Sequence, residues 1–302
     1  MTARAAVSEF DFIHDLKSLS DPNHALNLED DAAALPAGDV ICTDTLVESV
    51  HFLGRETPQD LAHKLLAVNV SDVVAMNARP THALLNLTLP SYCDPTWRAG
   101  FIEGLGQACE LFSVQVLGGD TTRSPGPLVL SATLLGMLEE RQMWRRAGAR
   151  VGDLVCVGGT IGRGALGLDD MMTGTTNSAA ALHFKRPMPR LDLLGCDGVS
   201  GCADVSDGLV ADLAHICRAS GVSSTLDLSR IPYADPSADW ALQATGGDDY
   251  ELVFTLSPTA SLPAGCTVVG EIVPIQGDGT VALQGPADMI EATLAQSGYE
   301  HF

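Results

Sequence analysis

The stretch DLAHKLLAVNVSDVVAMNA, residues 60–78, carries a strong helix pattern. Leu61, Leu65 and Val68 recur at helical spacing, so the stretch predicts a helix that follows an Asp60 cap. Asp72 falls on the same stripe, which is the side that a helix turns toward the core. A buried, ionised carboxylate is costly unless it is paired. Asp72 therefore needs a partner, which can be an arginine, a proton or a metal ion.

Alternating strand and helix patterns surround this helix. Strands are expected at Val40–Thr43, in HALLNLTLP (82–90) and in PLVLSATLLGML (127–138). A helix is expected in WRAGFIEGLGQACELF (97–112), and a strand in VQVLGGD (114–120) that stops at Gly118-Gly119-Asp120. The polar, basic run EERQMWRRAGARVGD (139–153) predicts a boundary between a first domain, 1–139, and a second, 140–302.

The second half repeats the style of the first. Apolar strand patterns begin at DLVCVGG (153–159), YELVFTL (250–256) and CTVVGEIV (266–273). CADVSDGLVADLAHICRASG (202–221) reads as a strand end, a cap and a helix, with Leu209, Leu213, Ile216 and Cys217 on its inner face. Strands joined partly by hairpins and partly by helical crossovers predict an α+β fold in two domains.

Charge and cysteine content narrow the function. The chain has 302 residues, 17 basic and 38 acidic, for a formal net charge of -21. This balance disfavours nucleic acids and anionic membrane surfaces as partners. An anionic ligand remains possible where divalent cations lie between it and the protein. Eight cysteines without a C-x-x-C pair, no apolar leader in MTARAAVSEFDF and no long apolar run predict a soluble, cytoplasmic protein with reduced thiols.

A glycine pattern, Gly162-Arg-Gly-Ala-Leu-Gly167, matches G-x-G-x-x-G. A dinucleotide site would also need an acid about 20 positions on. That region reads FKRPMPR, without an acid. We interpret the pattern as a strand-to-helix turn that needs small residues and can lie near a phosphate.

Aspartates recur at strand ends and helix starts. They include Asp44, Asp120, Asp204 and Asp207, besides the run Glu29-Asp30-Asp31, which is either a solvated turn or a cation site. Asp207 by itself favours a helix cap. The set has few basic residues near it in the sequence, and hard oxygen ligands without His or Cys favour Mg²⁺. With the helix N-terminus after Ser206, the residues indicate a Mg²⁺-dependent enzyme that handles phosphate, without naming its substrate.

The motifs in order resemble a known family. From Glu9 to Phe302 the chain resembles the thiamine-monophosphate kinases, in the motifs SEFDFI, TDTLVESVHF, LAVNVSDVVAMNA, GGDTT, RAGARVGD, DVSDGLVADL, GGDDYEL and GYEHF. These kinases belong to the PurM-like (aminoimidazole-ribonucleotide-synthetase-like) ATP-binding superfamily. The resemblance implies transfer of the γ-phosphoryl group of ATP to thiamine monophosphate. It also implies an α+β PurM-like fold, a homodimer paired through the N-terminal domain, and ATP with several Mg²⁺ ions between the domains.

The resemblance also implies roles for individual residues, position by position. Metal ligands are expected at Asp31, Cys42, Thr43, Asp44, Asp72, Asp120, Asp204 and Asp207, with Cys42 contributing only its carbonyl. ATP contacts are expected at Gly119, Asp120, Arg146 and Ser206, and thiamine phosphate contacts at His51, Asp248 and Tyr299. Asp207 and Arg146 are the expected catalytic residues. Tyr299 would stack on a cationic heteroaromatic ring.

The chain departs from the family pattern at three places. Asn27 and Glu29 stand where the family has glycines, Asn77 replaces a glycine, and Asp248 replaces a glutamate. We expect Asn27 to tolerate a positive φ more easily than Glu29, and Glu29 to face solvent. Two other functions compete with the kinase: a PurM-like ATP-dependent enzyme with another acceptor, and a non-catalytic nucleotide-binding paralogue.

Overall fold

Two mixed sheets with flanking helices form the molecule. The computed structural model describes residues 13, 16–21, 23–277 and 279–296. The first sheet has the strand order β1-β2-β5-β3-β4, and the second β11-β8-β10-β6-β9-β7. Tyr299, an expected thiamine phosphate contact, lies outside the described residues. The α+β prediction is confirmed.

The first sheet is covered by two long helices. Its strands are β1 (Ala33–Ala34), β2 (Asp39–Val47), β3 (Ala78–Leu89), β4 (Gln115–Arg123) and β5 (Val129–Leu138), and the helices are α1 (Pro58–Ala75) and α2 (Pro95–Phe112). β3 and β4 are parallel, and the other pairs are antiparallel. The expectation that β4 stops at Asp120 is wrong, because the strand continues to Arg123, where it still pairs with Leu89.

The start of α1 differs from the predicted one. Thr57 is the N-cap, and Pro58 is the first helical residue. The hydroxyl of Thr57 accepts the N–H of Asp60 at 3.1 Å, and the Asp60 carboxylate accepts the N–H of Thr57 at 3.4 Å. Asp60 is therefore the reciprocal member of a capping box rather than the cap itself.

The burial of α1 also differs from an amphipathic stripe. Every residue from Leu61 to Ala75 is buried except Asp72, which is half-buried. The helix is enclosed because it packs on α2, on the first sheet and on the second half of the chain. The stripe argument for Asp72 is therefore wrong in its premise, since nearly every face of the helix is buried.

The second half holds six strands and five helices within the described residues. These are β6 (Leu154–Gly158), α3 (Arg163–Thr173), α4 (Ala179–Lys185), β7 (Val199–Asp204), α5 (Leu209–Ser220), β8 (Ser223–Asp227), α6 (Trp240–Thr245), β9 (Leu252–Leu256), β10 (Cys266–Val273), β11 (Val281–Gln284) and α7 (Ala287–Leu294). Leu209, Leu213, Ile216 and Cys217 are all buried, which confirms the predicted inner face of α5.

One of the hydrophobic clusters of the molecule is shared by the two halves, and another lies within the second half. A single cluster of buried side chains runs from the first sheet and α1 into β7 and β9 of the second. Trp144, in the connecting segment, is 3% exposed, and its backbone N–H donates to the carbonyl of Met76 at 3.3 Å. Among the described helices, none joins the length to the apolar character that a membrane crossing requires. All eight cysteines lie in the described ranges and are free thiols.

The asparagines that replace family glycines adopt the left-handed backbone. Asn27 has φ 62° and Asn77 has φ 58°, whereas Glu29 has an ordinary φ of -121°. The Asn77 side chain also donates to the carbonyl of Gln142 and accepts the N–H of Gly195, each at 2.8 Å. Asparagine is tolerated in this conformation because its short polar side chain bonds locally. The lost glycines therefore leave the backbone path intact.

Candidate active site

Three aspartates from distant parts of the chain meet at one point. Asp31 lies in the loop before β1, Asp72 in the last turn of α1, and Asp204 at the end of β7. One carboxylate oxygen from each lies within 4.8 Å of the others. Asp204 is 2% exposed, so the cluster is largely sheltered from water. The structure thus brings three of the predicted metal ligands together.

Burial and mutual repulsion govern the charge of this cluster. Burial raises the pKa of Asp72 well above its usual value, and the carboxylates of Asp44, Asp204 and Asp31 raise it further. Burial and Asp31 likewise raise the pKa of Asp204, which Ser71 and Arg146 lower in part. Such groups hold protons unless a positive charge enters the site.

The cluster also contains unsatisfied oxygens. Within the described part of the chain, Asp31 Oδ2 and Asp204 Oδ2 are buried and have no hydrogen-bond partner. Buried carboxylate oxygens in native proteins are normally paired or bound to metal. The donor set is oxygen only, which suits Mg²⁺ better than Zn²⁺. The residues therefore fit a hard divalent cation.

Two consecutive arginines lock onto two consecutive aspartates beside this cluster. Arg145 pairs with Asp30 at 2.7 Å, and the backbone N–H of Arg146 donates to the other oxygen of Asp30 at 2.7 Å. The guanidinium of Arg146 pairs with Asp31. The expectation that arginines are scarce near the acids is therefore wrong for Asp31. Arg146 comes from the segment between the sheets, so sequence distance concealed the pair.

One hydrogen-bond donor of the Arg146 side chain has no partner among the described residues. Its Nε atom is buried and has no hydrogen-bond partner among the described residues, and its side chain is 19% exposed. Asp31, Asp212 and Asp204 raise its pKa against the opposing effect of burial. A permanently charged guanidinium with an unused donor beside an acid cluster is suited to a phosphate oxygen.

A second acidic group lies at the start of α5. Asp207, Asp212 and His215 offer atoms within 4.8 Å of one another. The Asp212 carboxylate accepts the N–H groups of Asp207 and Gly208, each at 3.1 Å. These two N–H groups, which we expected to face a phosphate, thus bond a side chain of the protein. The sequence reading missed Asp212, although an acid in a first helical turn is a known capping signal.

The segment from Cys42 to Asp44 runs along β2 beside α1. Cys42 is buried and its thiol donates to the carbonyl of Asn69 at 3.4 Å, while the Asn69 side chain accepts the N–H of Asp44 at 3.0 Å. The hydroxyl of Thr43 donates to the carbonyl of Ala132 at 3.0 Å. Asp44 raises the pKa of Asp72, which places its charge near the cluster. Asn69, which the sequence reading missed, fixes this strand to α1.

Gly119 and Asp120 lie apart from the cluster within this chain. Asp120 is level with Asn86 on β3, Ser131 on β5 and Thr45 on β2. Three strand spacings separate β4 from β2, which is about 14 Å. Gly119 has φ 147°, and a Cβ there would lie 1.8 Å from the Leu85 carbonyl oxygen. This close approach of β4 to β3 by itself explains the glycine.

Two of the expected substrate residues, His51 and Asp248, meet at Lys64 of α1. The backbone carbonyl of His51 and the carboxylate of Asp248 both accept from the ammonium group of Lys64, at 3.1 and 2.9 Å. The N–H of Asp248 donates to the carbonyl of Ser206 at 3.0 Å. Ser206 thus links Asp207, its neighbour in the chain, to Asp248. Lys64 was not predicted to belong to the site.

The glycine turn at 162–164 has a different role from the one expected. The N–H groups of Gly162 and Gly164 donate to the carboxylate of Asp249 at 2.6 and 2.8 Å. Burial raises the pKa of Asp249 to about 7, although these two bonds lower it. The anion at this helix start is therefore a side chain of the protein. The interpretation as a strand-to-helix turn is confirmed, and the suggestion of a nearby phosphate stays a prediction.

Glu29 faces solvent, as predicted. Its side chain is 45% exposed and pairs with Lys17 at 2.5 Å. The acid cluster formed by Asp31, Asp72 and Asp204 does not include it among the described residues. In the run Glu29-Asp30-Asp31, therefore, Glu29 faces solvent, Asp30 pairs with Arg145, and Asp31 belongs to the acid cluster.

Comparison with known proteins gives the class of this chain. The family model for the N-terminal domain of AIR synthase related proteins matches residues 29–138, and the model for their C-terminal domain matches residues 150–278. With two mixed sheets and acids between them, the chain is a two-domain protein of the AIR synthase related class.

Individual relatives narrow this class. The thiamine-monophosphate kinase of Caulobacter vibrioides is 38% identical, with 97% of this chain and 91% of that protein covered. That of Escherichia coli (strain K12) is 36% identical, with 92% of each covered. The structure of AaThiL complexed with AMPPCP and TMP covers all of both chains, with a TM-score of 0.88 and 28% identity. The chain belongs to the thiamine-monophosphate kinase family.

Proposed function

We propose that this protein transfers the γ-phosphoryl group of ATP to the phosphate of thiamine monophosphate, giving thiamine diphosphate and ADP. The observation that carries the proposal is the meeting of Asp31, Asp72 and Asp204 beside Arg146. Relatives that cover nearly the whole chain bear this activity in their names, and AaThiL binds AMPPCP, an analogue of ATP, together with TMP. The site has the charge and the donors that such a transfer requires.

We propose that the protein binds divalent cations for this reaction, and that these are Mg²⁺. Asp31, Asp72 and Asp204 would hold them, Asp44 lies close enough to Asp72 to raise its pKa, and Asp207 lies beside Asp212 at the start of α5. Bound Mg²⁺ would neutralise phosphate charge and orient phosphate oxygens. The unsatisfied oxygens of Asp31 and Asp204 support this assignment.

The residues of the chain then have defined tasks. The acceptor is a phosphate oxygen, which is nucleophilic without a strong base, so the barrier to overcome is repulsion between two anions. Arg146 supplies a fixed positive charge, held by Asp31 on one side and by the Asp30 bond to its backbone on the other. The exposed part of the Arg146 guanidinium, whose side chain is 19% exposed, is the donor we assign to a transferring phosphate. No side chain needs to carry the phosphoryl group.

The remaining assignments rest on position and family. We propose that ATP contacts Gly119, Asp120, Arg146 and Ser206, and that thiamine phosphate contacts His51, Asp248 and Tyr299. Further metal ligands would be Cys42 (through its carbonyl), Thr43 and Asp120. The catalytic residues would be Asp207 and Arg146. Because Asp120 lies about 14 Å from the β2 acids within one chain, its role as a metal ligand requires another arrangement, such as a second subunit.

A homodimer, a cytoplasmic location and a domain division after residue 139 complete the proposal. β4 is exposed along its whole length, with Leu117 at 61% and Val116 at 43% exposure. Sheet edges with apolar side chains are normally covered, which favours pairing of β4 with the same strand of a second copy of the chain. Light scattering on the purified protein tests the dimer, and a monomeric mass would contradict it.

The eight free cysteines favour a reducing compartment, which supports the proposed cytoplasmic location.

The activity itself is tested by incubating purified protein with Mg-ATP and thiamine monophosphate and measuring thiamine diphosphate. We expect product and ADP in equal amounts. ATP binding without product would favour the non-catalytic paralogue. ATP turnover with other phosphorylated acceptors, and none with thiamine monophosphate, would favour a different PurM-like enzyme.

A further inference from the structure

Lys64 is a buried cation on α1 with an unusual position in the molecule. Its side chain is 1% exposed, although lysine is rarely buried unless it is paired. The ammonium donates to Asp248 Oδ2 at 2.9 Å and to the carbonyl of His51 at 3.1 Å. It also lies 3.8 Å from the ring centre of Phe184 on α4. The ammonium group of Lys64 is therefore surrounded by protein groups.

The contacts of Lys64 join opposite halves of the chain. His51 and Lys64 belong to the first half, whereas Phe184 and Asp248 belong to the second. Nearby on α1, His63 bonds the carbonyl of Pro187 at 2.9 Å. A buried ion pair contributes modestly to stability but fixes geometry strongly, because breaking it leaves a charge without compensation. Lys64 therefore sets how the two halves meet beside the cleft.

Asp248 is held on both of its carboxylate oxygens. Lys64 takes Oδ2, and the hydroxyl of Tyr250 donates to Oδ1 at 2.8 Å. Its backbone has φ 66°, an uncommon conformation for aspartate, and its N–H bonds the Ser206 carbonyl. The side chain remains 30% exposed. The Asp248 carboxylate is thus held in one orientation while part of it stays accessible to a ligand.

We propose that Lys64 is a positioning residue for the thiamine phosphate subsite, which it builds by fixing the His51 turn and the Asp248 carboxylate to each other. This inference rests on the proposed function, since it assigns the subsite within that reaction. Lys64 does not touch substrate, because its ammonium is enclosed. It lowers the cost of binding by holding two contacts in place before the substrate arrives.

Two physical effects of Lys64 on a cationic substrate have opposite signs. Its charge opposes the thiazolium ring, whereas its bonds orient the residues that meet the substrate. We expect orientation to dominate, because the Lys64 charge is already compensated by Asp248 and faces the Phe184 ring. Loss of Lys64 should therefore weaken binding of thiamine monophosphate rather than strengthen it.

The test is a steady-state comparison of wild type, Lys64→Met and Lys64→Arg. For Lys64→Met we expect KM for thiamine monophosphate to rise at least about tenfold, equivalent to about 1.4 kcal/mol. KM for ATP should rise less than KM for thiamine monophosphate, since the ammonium of Lys64 bonds His51 and Asp248 and none of the residues assigned to ATP. Lys64→Arg, which keeps the charge, should recover part of the loss in KM.

A matched control separates positioning from general destabilisation. His63 also joins the two halves, since its ring bonds the carbonyl of Pro187 at 2.9 Å and packs near Phe112 rather than against His51 or Asp248. His63→Leu should lower the melting temperature and leave both KM values unchanged. If Lys64→Met does not fold, Phe184→Leu provides a milder perturbation, with an expected rise of about threefold in KM for thiamine monophosphate.

The outcomes distinguish this inference from the proposed function. A wild-type protein that makes no thiamine diphosphate overturns the function. An active wild type whose folded Lys64 or Phe184 variants keep, or lower, KM for thiamine monophosphate overturns the positioning role alone. Equal rises in both KM values would assign Lys64 to general domain packing and would also overturn it.

Discussion

Asp72→Asn should have opposite effects on stability and activity. The substitution keeps the size of the side chain and removes one charge from a cluster in which Asp44, Asp204 and Asp31 all raise the Asp72 pKa. We therefore expect the metal-free variant to be more stable than wild type at pH 8. We expect it also to lose the ability to bind divalent cations productively.

The magnitude follows from the geometry. With an effective dielectric constant of about 20, two carboxylates 4.8 Å apart repel by about 3.5 kcal/mol. Arg146 and partial protonation cancel much of this, so a net gain of about 1–2 kcal/mol in the free energy of unfolding is reasonable. For a chain of this size that corresponds to a rise of about 2–6 °C in melting temperature.

The assay combines melting curves, with and without Mg²⁺, and steady-state kinetics. Wild type should gain stability from Mg²⁺, whereas Asp72→Asn should gain little, and its kcat should fall at least about 100-fold. The control is Asp169→Asn, which removes the same charge from an exposed position on α3. A variant that keeps a tenth of wild-type turnover, or the full Mg²⁺ shift, would refute the metal assignment of Asp72.

Two further predictions concern the same site. Without metal, the melting temperature should rise as the pH is lowered from 8 toward the range in which free aspartates titrate. The reason is that Asp72, Asp204 and Asp212 have raised pKa values in the folded protein and take up protons before the unfolded chain does. Saturating Mg²⁺ should flatten this profile, and a melting temperature that rises with pH would contradict it. Arg146→Lys should lower kcat at least about 100-fold while the protein stays folded, because a lysine cannot both pair with Asp31 and present a second fixed donor; near-normal kcat would remove Arg146 from the transfer step.

Local patterns predicted the elements of the fold well. Periodicity located α1, α2 and α5 and most strands, because the apolar spacing of these segments matches their burial. The cap of α1 was misplaced because Thr57 and Asp60 form a reciprocal pair, in which either residue resembles a cap. β4 was ended too early because Gly118 and Gly119 read as a turn, whereas a close sheet contact requires Gly119.

Long-range electrostatic pairing was hidden from the sequence. The aspartates were recognised by their positions at strand ends and helix starts, and by motif order. The arginine that pairs with Asp31 is 115 residues away, and the acid that pairs with Lys64 is 184 residues away. Lys64 looked like an ordinary residue in an apolar helix. Only the packing of the two halves reveals that its ammonium is enclosed.

Transfer of labelled phosphate tests the central claim most directly. Purified protein should be incubated with γ-labelled ATP, Mg²⁺ and thiamine monophosphate, and the label followed into product and into protein. A direct transfer predicts label in thiamine diphosphate, in proportion to the ADP formed, and none on the protein. Label that stays on the protein, or thiamine monophosphate that remains unlabelled while ATP is consumed, would contradict the account.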